Sequence, residues 1–153
     1  MSHPVGLPDL FLDRSLGRKT VPQILRSHGL RLTTLSEHYG MPQDQTVADE
    51  TWLAEAGQRG WAVLMKDKRI RRNAPELTAV KTYEVRCFCL ARQDLLSQEM
   101  AERFLRNLDA MIKACRAPGP FIYAVHEDHL TMLRLEKKVT PTNGTDGFGA
   151  PSR

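Results

Sequence analysis

Three aspartates far apart in the chain, Asp13, Asp49 and Asp67, stand where a shared site is expected. Asp13 ends the apolar run that starts at Leu10, and Asp67 ends a second run that starts at Trp61. Asp49 opens the segment that leads into that second run. In an open α/β sheet, strand C-termini and helix N-termini share one edge, and ligands bind there. Carboxylates converging on that edge repel one another and are costly to bury alone. Mg²⁺ or Mn²⁺, which favour oxygen ligands, would resolve the conflict. An ion so held activates a water and offsets charge on a phosphodiester, which is the chemistry of a hydrolytic nuclease. Each acid also has a structural account. Asp49 complements a helix dipole, Asp13 pairs with Arg14 or Arg18, and Asp67 balances Lys66, Lys68 and Arg69.

Basic residues adjoin two of these acids. Lys66, Lys68, Arg69, Arg71 and Arg72 surround Asp67, and Arg14 follows Asp13. They are candidates to hold phosphates beside the metal, with a solvated basic loop as the alternative. His38-Tyr39 has the chemistry to stack on a base or carry a proton, and equally that of a packing pair. His126, Glu127 and Asp128 have metal-ligand composition, but neighbours on a strand point to opposite faces, so a turn accounts for them better. Trp52 falls on an apolar stripe with Leu53 and Ala56, and with Trp61 it is assigned to the core. Cys87, Cys89 and Cys115 lack the paired spacing of a zinc site and read as buried, reduced thiols. No serine or cysteine triad is evident, and the glycine spacing of a phosphate-binding P-loop is absent around Lys19-Thr20.

The elements that must position these residues alternate between strand and helix. Strands are predicted over residues 10–14, 30–35, 61–66, 85–90 and 121–125, with an edge strand over 130–135. Helices are predicted from Thr20 to about His28, from Thr46 to about Arg59, from Asn73 onward, and from Ser97 to about Arg116. Gly29 and Gly60 supply C-terminal stops for the first two. Residues 37–44 read as a loop. Alternating strands and helices imply a three-layer α/β/α domain with a mainly parallel central sheet over residues 1–135. From about residue 136 the chain turns to Lys, Thr, Pro, Asn and Gly, which predicts a flexible tail over 136–153.

Two stretches carry a resemblance. Asp49-Glu-Thr-Trp-Leu-Ala-Glu-Ala56, followed by Val63-Leu-Met-Lys-Asp67-Lys-Arg-Ile70, resembles the core signature of PIN-domain ribonucleases. Its two acids are 18 positions apart, the family's usual interval. Leu10-Phe-Leu-Asp13 is similar to the family's first strand, and the compact first half looks like the PIN-like branch of VapC-type toxins. The resemblance implies a PIN-like fold and metal-dependent cleavage of RNA by Asp13, Asp49 and Asp67, with Mg²⁺ or Mn²⁺ as cofactor. Arg14, Lys66, Lys68, Arg69, Arg71 and Arg72 would hold the RNA. It further implies the toxin role in a type II toxin–antitoxin pair, with a cognate antitoxin protein as partner and a homodimer as a candidate assembly. Two departures stand out. Met65 occupies the place of the motif threonine, for which Ser15 is a candidate substitute. The family's fourth acid has no clear match among Glu37, Asp44 and Glu50, of which Asp44 is favoured. These departures also fit an alternative, a non-catalytic PIN-like module that binds RNA or protein through a degenerate site.

The whole-chain properties agree with a soluble enzyme. At 153 residues, 41% hydrophobic and 26% charged, the chain suits one globular domain. No apolar run approaches the ~20 residues that cross a bilayer, and the first residues lack the pattern of a secretory signal. The cytoplasm is therefore the expected compartment. The net charge of +4 is compatible with a polyanionic partner without establishing one.

Overall fold

The computed structural model describes residues 2–66, 70 and 72–135. Asp67, Lys68, Arg69 and Arg71, and the predicted tail over 136–153, lie outside the described residues. The strands are β1 (Leu10–Leu12), β2 (Leu32–Thr34), β3 (Ala62–Met65), β4 (Arg86–Leu90), β5 (Phe121–Val125) and β6 (Leu130–Leu133). The helices are α1 (Thr20–Ser27), α2 (Leu35–Tyr39), α3 (Asp49–Arg59), α4 (Ala74–Thr82), α5 (Ser97–Arg106) and α6 (Leu108–Ala114). Single 3-10 turns occupy Arg14–Leu16 and Gln43–Gln45.

One sheet of order β2-β1-β3-β4-β5-β6 runs through the middle. Every pairing is parallel except that of β6 with β5. The inner strands β1 and β3 are apolar at every position, and β4 is apolar after Arg86, because both faces are covered. Alternation then divides their side chains between two cores. Leu10, Leu12, Leu64, Phe88 and Leu90 face α1, α5 and α6, with Leu25, Phe104 and Met111 opposite. Phe11, Val63, Met65, Cys87 and Cys89 face α3 and α4, with Trp52, Leu53 and Val80 opposite. The result is the three-layer α/β/α arrangement that the strand–helix alternation predicts. Cys87, Cys89 and Cys115 are free and buried, as expected. Burial pushes the Cys115 thiol up to about 11.

From β1 the chain steps to β2 on one side of the sheet, then returns past β1 to place β3 on the other. That reversal makes a crevice at the C-terminal ends of β1 and β3, the switch point where open α/β sheets bind ligands.

Local structure departs from the sequence reading at three kinds of place. Across the end of the strand predicted over 30–35 and the start of the loop predicted over 37–44, residues 35–39 form α2. Its start is a capping box in which Thr34 Oγ1 accepts the Glu37 N–H at 3.1 Å and Glu37 Oε1 accepts the Thr34 N–H at 3.0 Å. The single helix expected from Ser97 to Arg116 is broken at Asn107. Its buried side chain donates to the carbonyls of Arg103 (2.8 Å) and His126 (2.9 Å), tying the break to the end of β5. Finally, α3 begins at Asp49 after Ala48 rather than at Thr46, whereas α1 and α5 begin at Thr20 and Ser97 as predicted. Gly60, at φ +73°, does close α3.

Helix α3 passes close to the end of α4 at one glycine. A Cβ at Gly57 would lie 2.4 Å from the Tyr83 carbonyl oxygen at the end of α4. Gly57→Ala gains up to about 1 kcal/mol of helix propensity, but overpacking against backbone costs about 1–3 kcal/mol. The clash should win, so urea denaturation should find the variant less stable than the parent.

Candidate active site

The crevice between β1 and β3 opens into a cleft of about 540 Å³. Asp13, Arg14, Ser15, Asp49, Trp52, Met65, Ile70, Arg72, Asn73 and Glu76 line it. Asp13 is one residue past β1, and its N–H still reaches the Leu64 carbonyl of β3 at 3.3 Å. Its side chain caps the turn that follows. Oδ1 accepts the Ser15 N–H at 3.1 Å and the Ser15 hydroxyl at 2.5 Å. Ser15 Oγ in turn accepts the Lys66 N–H at 3.0 Å. A hydroxyl therefore links the first acid to the end of the strand that leads to Asp67. Met65, buried at the end of β3, carries none.

Asp49 is the first residue of α3, where the helix dipole favours negative charge. Its Oδ1 accepts the indole N–H of Trp52 at 2.9 Å and Arg14 Nη1 at 3.1 Å. Trp52 is fully buried in the second core, so the carboxylate is hydrogen-bonded to a side chain with little freedom to move. Arg14 Nη2 also donates to the carbonyls of Val47 (2.9 Å) and Asp44 (3.1 Å), and Nε donates to Asp44 at 3.4 Å. The guanidinium thus braces the segment before α3 against the end of β1.

The two acids have unequal surroundings. Burial pushes the Asp13 carboxyl up to about 6; its Ser15 hydrogen bonds oppose that rise, and the Asp49 charge adds to it. Burial likewise pushes up the Cys87 thiol, with the Asp13 charge adding to it. An oxygen-rich pair in which one carboxyl resists ionisation suits a hard divalent cation. Among the described residues, no three acids, histidines or cysteines are grouped closely enough to hold a metal by themselves. Asp67, the third acid of the expected set, is outside the described residues.

The other expected residues divide. Asp44 is buried and its Oδ1 has no hydrogen-bond partner among the described residues, yet it does not line the cleft. It lies on the far side of Arg14, which holds its carbonyl. Arg72 is exposed and lines the cleft, whereas Lys66 offers its main chain to Ser15 and Gln93. His38 packs edge-on against Phe11 and Trp61 and meets Glu55 at 3.1 Å, as a packing residue would. His126 stacks on His129 at the β5–β6 turn, with ring centroids 4.4 Å apart.

Two residues escaped the sequence reading. Trp52 was assigned only to the core, although Asp-x-x-Trp at i,i+3 on a helix puts donor and acceptor on one face. Glu76 was accounted for by helix-start chemistry, and Asn73 does accept its N–H at 3.3 Å. That it also lines the cleft follows from the β3–α4 connection, which no local pattern reveals.

The raised Asp13 value has a consequence for stability. Between the unfolded value of 3.8 and about 6, the folded protein keeps a proton that the unfolded chain has lost. This group's contribution is therefore fully present below pH 3.8 and is lost as pH rises through 6. The cost at neutral pH is on the order of 3 kcal/mol. Asp13→Asn keeps an acceptor for Ser15 and removes the charge. In EDTA at pH 7.5 its melting temperature should exceed the parent's by roughly 10 °C, and the gap should close at pH 4. Equal melting at both pH values would exclude a strained carboxylate.

Comparison with known proteins agrees with this geometry. A family described as PIN like domain matches residues 8–92, a span that includes Asp13, Asp49 and Asp67. The chain is 48% identical over 127 residues to "Putative ribonuclease VapC45" of Mycobacterium tuberculosis, covering 83% of this chain and 92% of that protein. No solved structure matches. With the fold, the paired acids and these matches in agreement, the chain belongs to the PIN-like domain family.

Proposed function

We propose that this protein is a metal-dependent endoribonuclease and the toxin component of a type II toxin–antitoxin pair. The observation that carries the reading is the meeting of Asp13 and Asp49 in one cleft at the β1–β3 switch point, with Asp13 hard to ionise alone. Similarity over most of the chain to a protein named as a VapC ribonuclease supports both the activity and the toxin role. Asp13 and Asp49, joined by Asp67, are the groups that would hold Mg²⁺ or Mn²⁺. When bound, such an ion supplies a nucleophilic water at neutral pH and offsets the charge on the phosphodiester. Ser15 holds the Asp13 carboxylate in place and Trp52 holds that of Asp49. Arg72 lines the cleft where it can meet an RNA phosphate, and Lys68, Arg69 and Arg71 are proposed to extend that contact.

A cognate antitoxin protein is the proposed partner, a homodimer the proposed assembly, and the cytoplasm the proposed compartment. No helix among the described residues is long and apolar enough to cross a membrane. The non-catalytic alternative leaned on the missing hydroxyl at Met65. Ser15 provides a hydroxyl to Asp13 from the turn after β1, which removes much of that argument.

Purified protein incubated with RNA should cut it with Mg²⁺ or Mn²⁺ and leave it intact in EDTA. Asp13→Asn, Asp49→Asn and Asp67→Asn should each reduce cleavage by at least about 100-fold while remaining folded. Uncut RNA in the presence of folded, metal-loaded protein would make this a binding module instead. Trp52→Phe, which keeps the ring and removes the N–H, should lower cleavage about 10-fold. It should also require more metal for half-maximal rate; a rate equal to the parent's would show that the indole only packs.

A further inference from the structure

Arg14 is the guanidinium that reaches into the acid pair, and its bonds differ from those of a side chain waiting for a phosphate. Of its five N–H groups, one donates to Asp49 Oδ1, two to the Asp44 carbonyl and one to the Val47 carbonyl. The carbonyl bonds pin the positive charge beside Asp49. Only the fourth bond goes to a charged group, and that group is a proposed metal ligand. Asp49 Oδ1 accepts two donors, Trp52 Nε1–H and Arg14 Nη1, which occupy both of its lone-pair directions. Of the two donors, Trp52 is locked in the core, whereas the Arg14 side chain is 42% exposed. An ion that coordinates this oxygen must displace Arg14. An ion that coordinates the other oxygen must sit beside its charge.

We propose that Arg14 is a built-in counter-ion of the metal site, holding Asp49 when no divalent ion is bound and competing with that ion for the carboxylate. This rests on the metal-dependent reading above and assigns the residue a positioning role: it tunes how tightly the site takes its ion. Its anchoring by main-chain carbonyls makes the competition a fixed property of the fold, because the charge cannot swing far from the site when the Asp49 bond is given up.

Calorimetric titration of Mn²⁺ into the metal-stripped full chain tests this. Arg14→Gln and Arg14→Met remove the charge, and Arg14→Lys keeps it. Both neutral variants should bind Mn²⁺ roughly 10-fold more tightly than the parent, since a cation a few ångströms from the ion has been removed. Arg14→Lys should stay within about 2-fold of the parent, and the neutral variants' advantage should shrink at high salt. If a folded neutral variant binds Mn²⁺ no more tightly than the parent, Arg14 is a brace and the inference is overturned. If the parent itself binds no Mn²⁺, the metal-dependent reading falls and takes this inference with it.

Discussion

The site is organised around the cost of an ionised carboxylate at the end of a buried strand. Strand β1 is the second strand of the sheet and is apolar on both faces, so the first residue able to carry charge is the one that emerges from it, Asp13. Emerging there leaves its carboxyl poorly hydrated, and two hydrogen bonds from Ser15 lessen the penalty without removing it. The Arg14 guanidinium lessens it only slightly, because its charged bond goes to Asp49 instead. The edge of the sheet thus carries a carboxylate whose charge is only partly compensated.

Asp49 meets the same requirement by different means. It starts a helix, so the dipole favours its charge, and its Oδ1 accepts two N–H donors. The two acids therefore differ in kind. One is strained and comes from a strand end; the other is well bonded and comes from a helix start. That division follows from the topology, since the reversal between β2 and β3 brings the start of α3 to the edge where β1 ends.

Much of this was legible because it depends on local chemistry. Apolar runs long enough to be buried strands marked β1, β3, β4 and β5. Gly60 marked the end of α3, and a strand end and a helix start marked Asp13 and Asp49 as neighbours on one edge. What escaped notice depends on contacts between distant segments. The Asn107 break is decided by the carbonyl of His126, 19 residues on. The brace made by Arg14 is decided by carbonyls 30 and 33 residues away. The α2 error was of another sort. Thr34-Leu-Ser-Glu37 is a readable capping box, but its threonine also ends an alternating strand pattern, and the strand reading absorbed it. Local patterns overlap where one residue serves two elements, as Thr34 does.

Trp52 shows why the acid pair and the core should be regarded as one unit. Its ring packs at 5.7 Å from Phe11 of β1, and its N–H holds Asp49. Phe11 lies two residues before Asp13, which follows directly on the strand, so this aromatic contact helps fix the spacing between the segments that carry the two acids. Moving Asp49 away from Asp13 would require either breaking the indole bond or pulling a buried tryptophan off its strand. Both are costly, since a buried N–H left without a partner loses on the order of 1–3 kcal/mol and a dislodged ring loses its packing as well. The same residue that looked like ordinary core in the sequence therefore transmits the rigidity of the sheet to the acid pair. The other core, beneath α1, α5 and α6, meets the site through the main chain, where the Leu64 carbonyl accepts the Asp13 N–H, and none of its described side chains line the cleft. Substitutions there should act on the site mainly through global stability, whereas those around Trp52 change its geometry directly.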